Sequence, residues 1–344
     1  MKSIRIVGGG LAGLSLGVYL RKLGVDTEIL ESGKYPKHKV CGEFICGVDP
    51  GVLEEIGIRE VVAQSLDHTK MAWWMGDSKV LEDTLPTTAW GLSRYLMDAD
   101  LAKLFVSMGG KLQCGTRADA VDSEGTVWAT GKRKKAGRWI GLKIHATDAE
   151  IEGLEMHVGS RGYMGLCGIE QGRVNCCGLF RVNQSIKGGK GGKSEGGSQL
   201  VEAYLRANGL FSLADRFKKW GKDEASFSAT AGFSFGKQEQ VGSFCVGDAS
   251  YLIPPFTGNG MSMALESSWL GGKWLEKYAK GDMTWTAACA GYDHECIAFF
   301  KKRMSLSGHV QPLLFHRLGR TLLKIAAKTG VLPFQFLFHQ LRTP

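Results

Sequence analysis

Three glycines near the N-terminus have the spacing that lets a backbone approach a phosphate closely. Gly8, Gly10 and Gly13 separate an apolar strand pattern from a helical pattern. Gly8 permits a tight turn, Gly10 lets the backbone reach a pyrophosphate, and Gly13 lets the helix pack on the strand. A second apolar segment, 25–30, ends at Glu31, whose carboxylate can accept hydrogen bonds from ribose hydroxyls. This order of strand, glycine turn, helix, strand and acid predicts a dinucleotide-binding βαβ unit.

A second group of candidate residues lies far along the chain. A buried-strand pattern over 243–246 continues into Gly247 and Asp248. A loop rich in proline and glycine, 253–260, then leads into a helical pattern over 261–280. A carboxylate directly after a strand can bond a hydroxyl group. A helix opened by glycine directs the positive end of its dipole at an electron-rich group.

Taken in chain order, these segments resemble the FAD-dependent oxidoreductases of the glutathione-reductase-type fold, in the branch that holds flavin monooxygenases and geranylgeranyl reductases. The resemblance covers most of 1–300. It implies an α/β fold, with a Rossmann-like FAD-binding domain interleaved with an antiparallel β-sheet substrate domain and followed by a C-terminal helical segment. It also implies noncovalent, extended FAD bound by Gly8, Gly10, Ala12, Gly13, Glu31, Ser32, Cys41, Gly42, Arg94, Ala120, Gly247, Asp248, Pro255, Gly258, Asn259, Gly260 and Met261.

The resemblance assigns roles within this set. Asp248 would bond a ribityl hydroxyl. The helix that opens at 258–261 would direct its positive end at the N1/C2 edge of the flavin and stabilise the anionic reduced form. Arg94 would lie near the flavin or its phosphates, although an ion pair on a helix face explains this residue equally well. The segment 118–121 is similar to the strand whose backbone faces the adenine.

Cys41, Gly42 and Glu43 belong to the run that is most typical of the reductase-like branch, where it passes beside the isoalloxazine ring. The resemblance implies that Cys41 tunes the flavin or relays a proton, with Glu43 as its polar neighbour. A cysteine that only packs is the alternative. Cys41 and Glu43 are the predicted catalytic residues. No metal site is predicted, because the cysteines and histidines lack ligand spacing.

The leading functional prediction is an FAD-dependent oxidoreductase. It would be a monooxygenase that acts on a hydrophobic polyketide-, aromatic- or isoprenoid-like substrate through a flavin C4a-hydroperoxide. NADH or NADPH would bind transiently as electron donor, because the chain has no second glycine motif for a nicotinamide. The alternatives are a double-bond reductase of the geranylgeranyl reductase type and a non-catalytic FAD-binding scaffold. The hydroxylase Asp-Gly motif and the Trp-x-Trp-x-Ile-Pro signature of tryptophan-type halogenases are both missing, which disfavours that halogenase class.

Alternating apolar residues predict the strands of the substrate sheet, which we expect to be antiparallel and to form one wall of a cavity. These segments are 71–75, 79–81, 139–146, 163–169 and 173–180. The predicted FAD-binding domain comprises 1–68, 91–136 and 232–300, the substrate domain comprises 69–90 and 137–231, and basic amphipathic helices occupy 301–344.

Composition limits the class of protein. The 344 residues are 44% hydrophobic and include 48 glycines, so we expect a packed core with many tight turns. The nine cysteines are odd in number and show no disulfide framework, which favours a reducing, cytoplasmic compartment. No apolar stretch reaches the roughly 18 residues of a membrane span.

The net charge of +9 is concentrated at the C-terminal end, where 297–344 contains eight lysines and arginines and no acid. A helix predicted over 313–329 carries Leu314, Leu318, Leu322 and Ile325 on one face and Arg317, Arg320, Lys324 and Lys328 on another. Either the apolar face packs on the body and the cations face water, or the helix binds an anionic membrane surface or an acidic carrier protein. Nucleic acid binding is not expected, since no recognition module accompanies the charge.

Overall fold

The structure is a computed structural model that describes residues 1–119, 121–132, 137–186, 196–233, 235–238, 243–329, 331 and 333–342. The strands are β1 (Ile4–Val7), β2 (Thr27–Glu31), β3 (Phe44–Ile45), β4 (Leu66–Met75), β5 (Ser78–Gly91), β6 (Lys111–Cys114), β7 (Thr126–Trp128), β8 (Trp139–Thr147), β9 (Leu154–Val158), β10 (Gly162–Ile169), β11 (Arg173–Arg181), β12 (Gly221–Ala231), β13 (Gly236–Lys237) and β14 (Tyr251–Leu252). The helices are α1 (Leu11–Lys22), α2 (Pro50–Ile56), α3 (Arg59–Val62), α4 (Arg94–Ser107), α5 (Gly197–Ala207), α6 (Phe211–Lys219), α7 (Gly260–Lys280), α8 (Trp285–Phe315), α9 (Arg317–Lys328) and α10 (Phe334–Arg342).

A parallel sheet carries the predicted dinucleotide-binding unit. Its strand order is β6-β2-β1-β7, and each neighbouring pair is parallel. The predicted strand over 243–246 contributes one parallel bridge, from Cys245 to Trp128. The prediction of a strand over 118–121 was wrong for the described residues, because Ala118, Asp119 and Val121 are not in a strand and β6 occupies that edge instead.

An eight-stranded sheet, in the order β12-β8-β11-β10-β9-β4-β5-β3, forms the second layer. All five segments predicted for it lie in its strands. Its pairings are antiparallel except that β4 and β9 run parallel. Helices α5 and α6 cover one face, where side chains such as Leu142, Ile144 and Phe217 form a separate apolar core. The α/β fold class is therefore confirmed.

Small residues allow α1 and α7 to pack closely. A Cβ at Gly272 of α7 would lie 2.2 Å from the ring of Tyr19 on α1. Ser268 of α7 donates a hydrogen bond to the carbonyl oxygen of Ala12 at 2.8 Å. This contact places the N-terminal end of α7 beside the glycine turn that opens α1.

A buried ion pair fixes α8 against α7. Arg303 is fully buried, and its Nη2 donates to Oε1 of Glu266 at 2.9 Å, while its Nη1 bonds the second carboxylate oxygen. One of the eight cations of the C-terminal segment is therefore neutralised inside the protein and does not contribute to a basic surface.

For the C-terminal segment, the sequence left two alternatives open: leucines that pack on the body, or a helix that binds a membrane surface or a carrier protein. The predicted helix breaks at His316, which has an extended backbone. Leu314 is buried, but Leu318, Leu322 and Ile325 are 68%, 66% and 55% exposed. The packing alternative is therefore wrong for these three residues, because α9 turns its leucine face outward, and binding to a membrane or a carrier protein stays a prediction.

We predict that Arg303→Met lowers the free energy of unfolding by roughly 3–5 kcal/mol, because the Glu266 carboxylate stays buried without its cation. Urea denaturation would measure this change. Lys301→Met, at an exposed position two residues before Arg303 on the same helix, is the matched control and should change stability by less than about 0.5 kcal/mol. Equal effects of the two substitutions would contradict the assignment.

Candidate FAD site and adjoining cavity

A cavity of about 1020 Å³ lies at the carboxyl ends of the parallel strands, the position where open α/β sheets bind ligands. Val7, Glu31 and Trp128 reach it from the ends of β1, β2 and β7, and Met261 reaches it from the start of α7. The predicted cofactor residues that line this large cavity are Gly8, Gly10, Ala12, Glu31, Ser32, Cys41, Gly42, Arg94, Asp248, Pro255, Gly258, Gly260 and Met261.

The remaining four predicted cofactor residues are not found among the described residues of this lining. Ala120 lies outside the described residues. Gly13, Gly247 and Asn259 are not among the described residues that line the large cavity. Gly13 and Gly247 instead shape it from behind. A Cβ at Gly13 would lie 2.0 Å from the carbonyl oxygen of Gly8, and one at Gly247 would lie 2.8 Å from Cβ of Ala12.

Within the glycine turn, one position at the start of α1 has space for a side chain. Gly8 has φ +109°, and its Cβ would meet the carbonyl oxygen of Ala129 at 2.4 Å. At Gly10, by contrast, the nearest atom to a Cβ would be Nζ of Lys39 at 3.5 Å. Gly10 is the N-cap of α1 and makes no side-chain cap. The free amide end of α1 therefore faces the cavity, where it can bind an anion.

Two cations are held beside this helix end by one buried carboxylate. Arg94 donates to Asp98 through Nε at 2.7 Å and Nη2 at 2.9 Å, and Nζ of Lys39 lies 3.0 Å from the same carboxylate. Burial opposes ionisation of Asp98, but Arg94 and Lys39 outweigh it and keep its pKa below the usual value. Arg94 therefore fits both hypotheses, since it forms an ion pair on its helix and also lines the cavity. No sequence pattern indicated Lys39 as the second partner of Asp98.

Glu31 is fixed by the backbone around it. Its Oε2 accepts from the amide of Gly9 at 2.7 Å, and its Oε1 accepts from the amide of Gly33 at 2.7 Å. Because a carboxylate can accept about four hydrogen bonds, the oriented group can still accept from ribose hydroxyls.

Asp248 brings a second carboxylate to the lining of the large cavity. Gly247, with φ +61°, makes the turn that leads into it. Burial raises the pKa of Asp248 to about 6, although the charges of Arg94 and Lys132 partly offset this effect. A buried carboxyl with such a pKa is costly to ionise and gains from a hydroxyl donor.

A smaller cavity of about 380 Å³ adjoins the large one and is mostly apolar. The residues that line both cavities are Val40, Cys41, Gly42, Phe44, Phe233 and Pro255. Strands of the large sheet contribute Met71, Tyr163 and Leu179 to the smaller cavity, and the C-terminal helices contribute Leu314 and Phe334. The shared residues form a thin wall, which we call the shared wall.

Glu43 lies behind the shared wall and is not among the described residues that line either cavity. It is fully buried, with φ +58°. Its Oε2 lies 2.6 Å from Nε2 of His145, and its Oε1 accepts from the amide of Arg94 at 3.0 Å. Glu43 thus ties the turn of the shared wall to β8 and α4, and its catalytic role stays a prediction.

The Glu43 carboxylate belongs to a cluster that joins distant parts of the chain. Nζ of Lys143 lies 3.5 Å from Oε1 of Glu43 and 3.0 Å from Nδ1 of His38. Burial lowers the pKa of Lys143 below its usual value and that of His38 to about 4. His38 in turn lines the large cavity. The cluster is a hydrogen-bonded path from the cavity to buried groups, and no local sequence pattern marks it.

The large cavity fits an extended FAD. The start of α1 with Lys39 and Arg94 would hold the pyrophosphate, Glu31 the ribose, and Asp248 the ribityl chain. The N-terminal end of α7, which opens at Gly258, would face the flavin ring. Residues 1–139 match the protein family described as FAD binding domain. The chain therefore contains an FAD binding domain over residues 1–139, and its fold is that of solved flavin-dependent enzymes.

Solved structures of similar fold extend this likeness over nearly the whole chain. PqsL of P. aeruginosa, crystallised with 2-aminobenzoylacetate, has a TM-score of 0.71 and 14% identity over 92% of this chain and 97% of its own. The flavin-dependent brominase Bmp2 has a TM-score of 0.74 and 16% identity over 99% of this chain and 94% of its own. At these identities the likeness concerns the fold of the flavoprotein.

A curated relative is similar over part of the chain. Menaquinone reductase of Mycobacterium tuberculosis is 22% identical over 163 residues, which are 41% of this chain and 40% of that protein. The flavoprotein therefore matches about two fifths of the length of this relative.

We predict that Gly10→Val removes bound FAD without destabilising the apoprotein, because its side chain would enter the pyrophosphate position, where a Cβ would meet only the side-chain ends of Lys39 and Arg94. Gly13→Ala should lower the free energy of unfolding by roughly 1–3 kcal/mol, because its methyl group meets the Gly8 carbonyl. Flavin absorbance of the purified protein and urea denaturation of the apoprotein separate the two effects. A yellow Gly10→Val protein would contradict the assignment.

The Asp248→Asn protein should bind FAD about 10-fold or more weakly, since a charge-assisted hydrogen bond contributes about 1.5–3 kcal/mol. Its apoprotein should nevertheless be more stable than the natural one at pH 7.5 by roughly 1–2 kcal/mol, a value reduced by the solvent in the cavity. The natural protein loses stability as pH rises from the usual carboxyl pKa through about 6, because the ionised form is disfavoured in the fold.

Thermal denaturation at pH 4.5 and 7.5, with FAD titrations at pH 7.5, would test both predicted effects of Asp248→Asn. The gain in stability should shrink at the lower pH, where the natural carboxyl is mostly protonated. The exposed Asp67 provides the control variant Asp67→Asn, which should change neither quantity. Unchanged FAD affinity of Asp248→Asn would refute its ribityl role.

Proposed function

We propose that this flavoprotein is a monooxygenase that oxidises a hydrophobic organic molecule bound in the smaller cavity. The observation that carries the proposal is the shared wall, whose residues line both the apolar cavity and the FAD-sized cavity, so that the two cavities adjoin where the flavin ring would lie. A substrate in the smaller cavity would lie beside the flavin ring, and its apolar lining would exclude water from the reacting atoms.

The polar groups of the smaller cavity are few and well restrained. Glu155 forms two hydrogen bonds with Arg216, at 2.8 and 3.0 Å, and one with His157 at 2.7 Å. Despite burial, these partners lower the pKa of Glu155 to about 2. Its charge is thus neutralised within the sheet. Tyr163, whose pKa is raised by burial, is a protonated hydroxyl available to orient a polar group of the substrate.

FAD would supply the redox chemistry when bound, by accepting reducing equivalents from a donor and passing them to dioxygen or to an organic acceptor. We propose NADH or NADPH as that donor. It would bind transiently, since the chain has no second glycine motif for a nicotinamide. The chain's own residues orient both partners, and His38 with the Lys143 and Glu43 cluster gives a route for a proton between the large cavity and the protein interior.

A second candidate function is reduction of a substrate double bond. The partial likeness to a menaquinone reductase favours it. So do the thiols of Cys41, Cys167 and Cys177, which line the smaller cavity and have pKa values that burial raises. Protonated thiols beside an alkene could donate the proton that accompanies hydride transfer.

Reoxidation of the photoreduced holoprotein distinguishes these functions. Under nitrogen, geranylgeraniol would serve as alkene probe, and in a parallel experiment ¹⁸O₂ would be admitted with a panel of lipophilic phenols. We expect fast reoxidation by dioxygen and ¹⁸O in a phenol product. Fast anaerobic reoxidation by an alkene, with no labelled product, would replace the proposal with the reductase. Slow reoxidation in both cases would leave FAD-binding without catalysis and refute both.

A further inference from the structure

Helix α9 exposes its apolar face, whereas an ordinary surface helix packs that face on the protein. Leu318, Leu322 and Ile325 lie within about one third of its circumference, since residues three and four apart share a face. Each of the three is more than half exposed. We call this set the leucine stripe. It forms an apolar strip about two turns long on the outside of the protein.

The face of α9 that meets the protein is held partly by polar bonds. Nη1 of Arg320 donates to the carbonyl oxygen of Ser160 at 2.7 Å, and Nζ of Lys324 donates to Oγ of Ser78 at 3.2 Å. Ala327, about one turn after Lys324 on the same face, is buried. These bonds fix the rotation of the helix about its axis. The leucine stripe therefore faces outward because the opposite face is specifically bonded, and not because the helix is loosely placed.

Cations border the leucine stripe. Arg317 and Lys328 are exposed and lie on the same side of it in the helical projection. The exposed Lys301 and Lys302 belong to the preceding helix. The segment 297–344 contains no acid that could neutralise them. Leucines flanked by unbalanced cations form the pattern of helices that lie in the interface of an anionic lipid bilayer.

The inner side of the same helices covers the smaller cavity. Leu323 of α9, Leu314 of α8 and Phe334 and Phe338 of α10 all line it. One layer of helix thus separates an apolar cavity from the leucine stripe. Among the described residues, no helix is long and apolar enough to cross a bilayer.

We propose that α9 is an interfacial helix, by which the protein docks on an anionic membrane surface with the C-terminal side of the smaller cavity facing the lipid. A second copy of the chain fits the surface less well, because pairing two leucine stripes would bring Arg317 and Lys328 of both copies together without an acid from 297–344. The docking surface does not depend on which reaction the flavin site performs.

The test is co-sedimentation of the holoprotein with vesicles of phosphatidylglycerol and phosphatidylcholine, and with vesicles of phosphatidylcholine alone. The natural protein should bind the anionic vesicles, and high salt should weaken binding. Arg317→Gln with Lys328→Gln should weaken it roughly 30-fold, at about fivefold per cation. Replacing all three residues of the leucine stripe by Gln should weaken binding at least about 100-fold.

Matched controls lie elsewhere on the surface. Val106→Gln replaces an apolar residue that is 51% exposed on α4, and Lys218→Gln with Lys219→Gln removes two exposed cations from α6. Both controls should bind vesicles as the natural protein does. Flavin content and circular dichroism should be the same for all variants, because every substituted side chain is exposed.

Several results would overturn the proposal. The first is absence of binding to anionic vesicles at low salt. The second is equal binding by the controls and by the leucine-stripe variant. The third is a natural protein that sediments as a dimer in analytical ultracentrifugation while the leucine-stripe variant is monomeric, which would assign the surface to a second copy.

Discussion

The close approach of α1 to the first strand is the constraint on which the rest of the structure depends. Gly13 lies so near the Gly8 carbonyl that a methyl group would be 2.0 Å from it. This contact directs the free amide end of α1 at the carboxyl edge of the parallel sheet. There, Lys39 and Arg94 form ion pairs with the buried Asp98. It also lets α7 pack across α1, which brings Gly247 against Ala12 and Asp248 into the same cavity.

The shared wall links this dinucleotide site to the larger sheet. Its turn has a non-glycine residue, Glu43, in a left-handed conformation, which is held by hydrogen bonds to His145 and to the amide of Arg94. The same carboxylate therefore orients the cation-bearing helix α4 and the strand β8 behind the smaller cavity. Backbone strain kept by several bonds is typical of residues that position a site. We infer that Glu43 fixes the distance between the two cavities.

Sequence patterns predicted the parts of this arrangement that are local. The glycine turn, Glu31 and the five strands of the large sheet each follow from spacing or alternation within a short segment. The cluster of His38, Lys143 and Glu43 was missed because Lys143 is about 100 residues from the other two and shares no motif with them. For α9, periodicity showed which residues share a face but not which face meets the protein. Polar bonds to Ser160 and Ser78 decide that, and a sequence does not display them.

A crystal structure of the protein grown with FAD would test the central claim most directly. We predict continuous density for FAD in the large cavity. The pyrophosphate should lie at the amides of Gly10 and Leu11, and the ribityl chain within hydrogen-bond distance of Asp248. The isoalloxazine ring should lie against Cys41 and Gly42 of the shared wall. FAD bound with its ring away from the shared wall, or a protein that crystallises without FAD from a yellow solution, would contradict it.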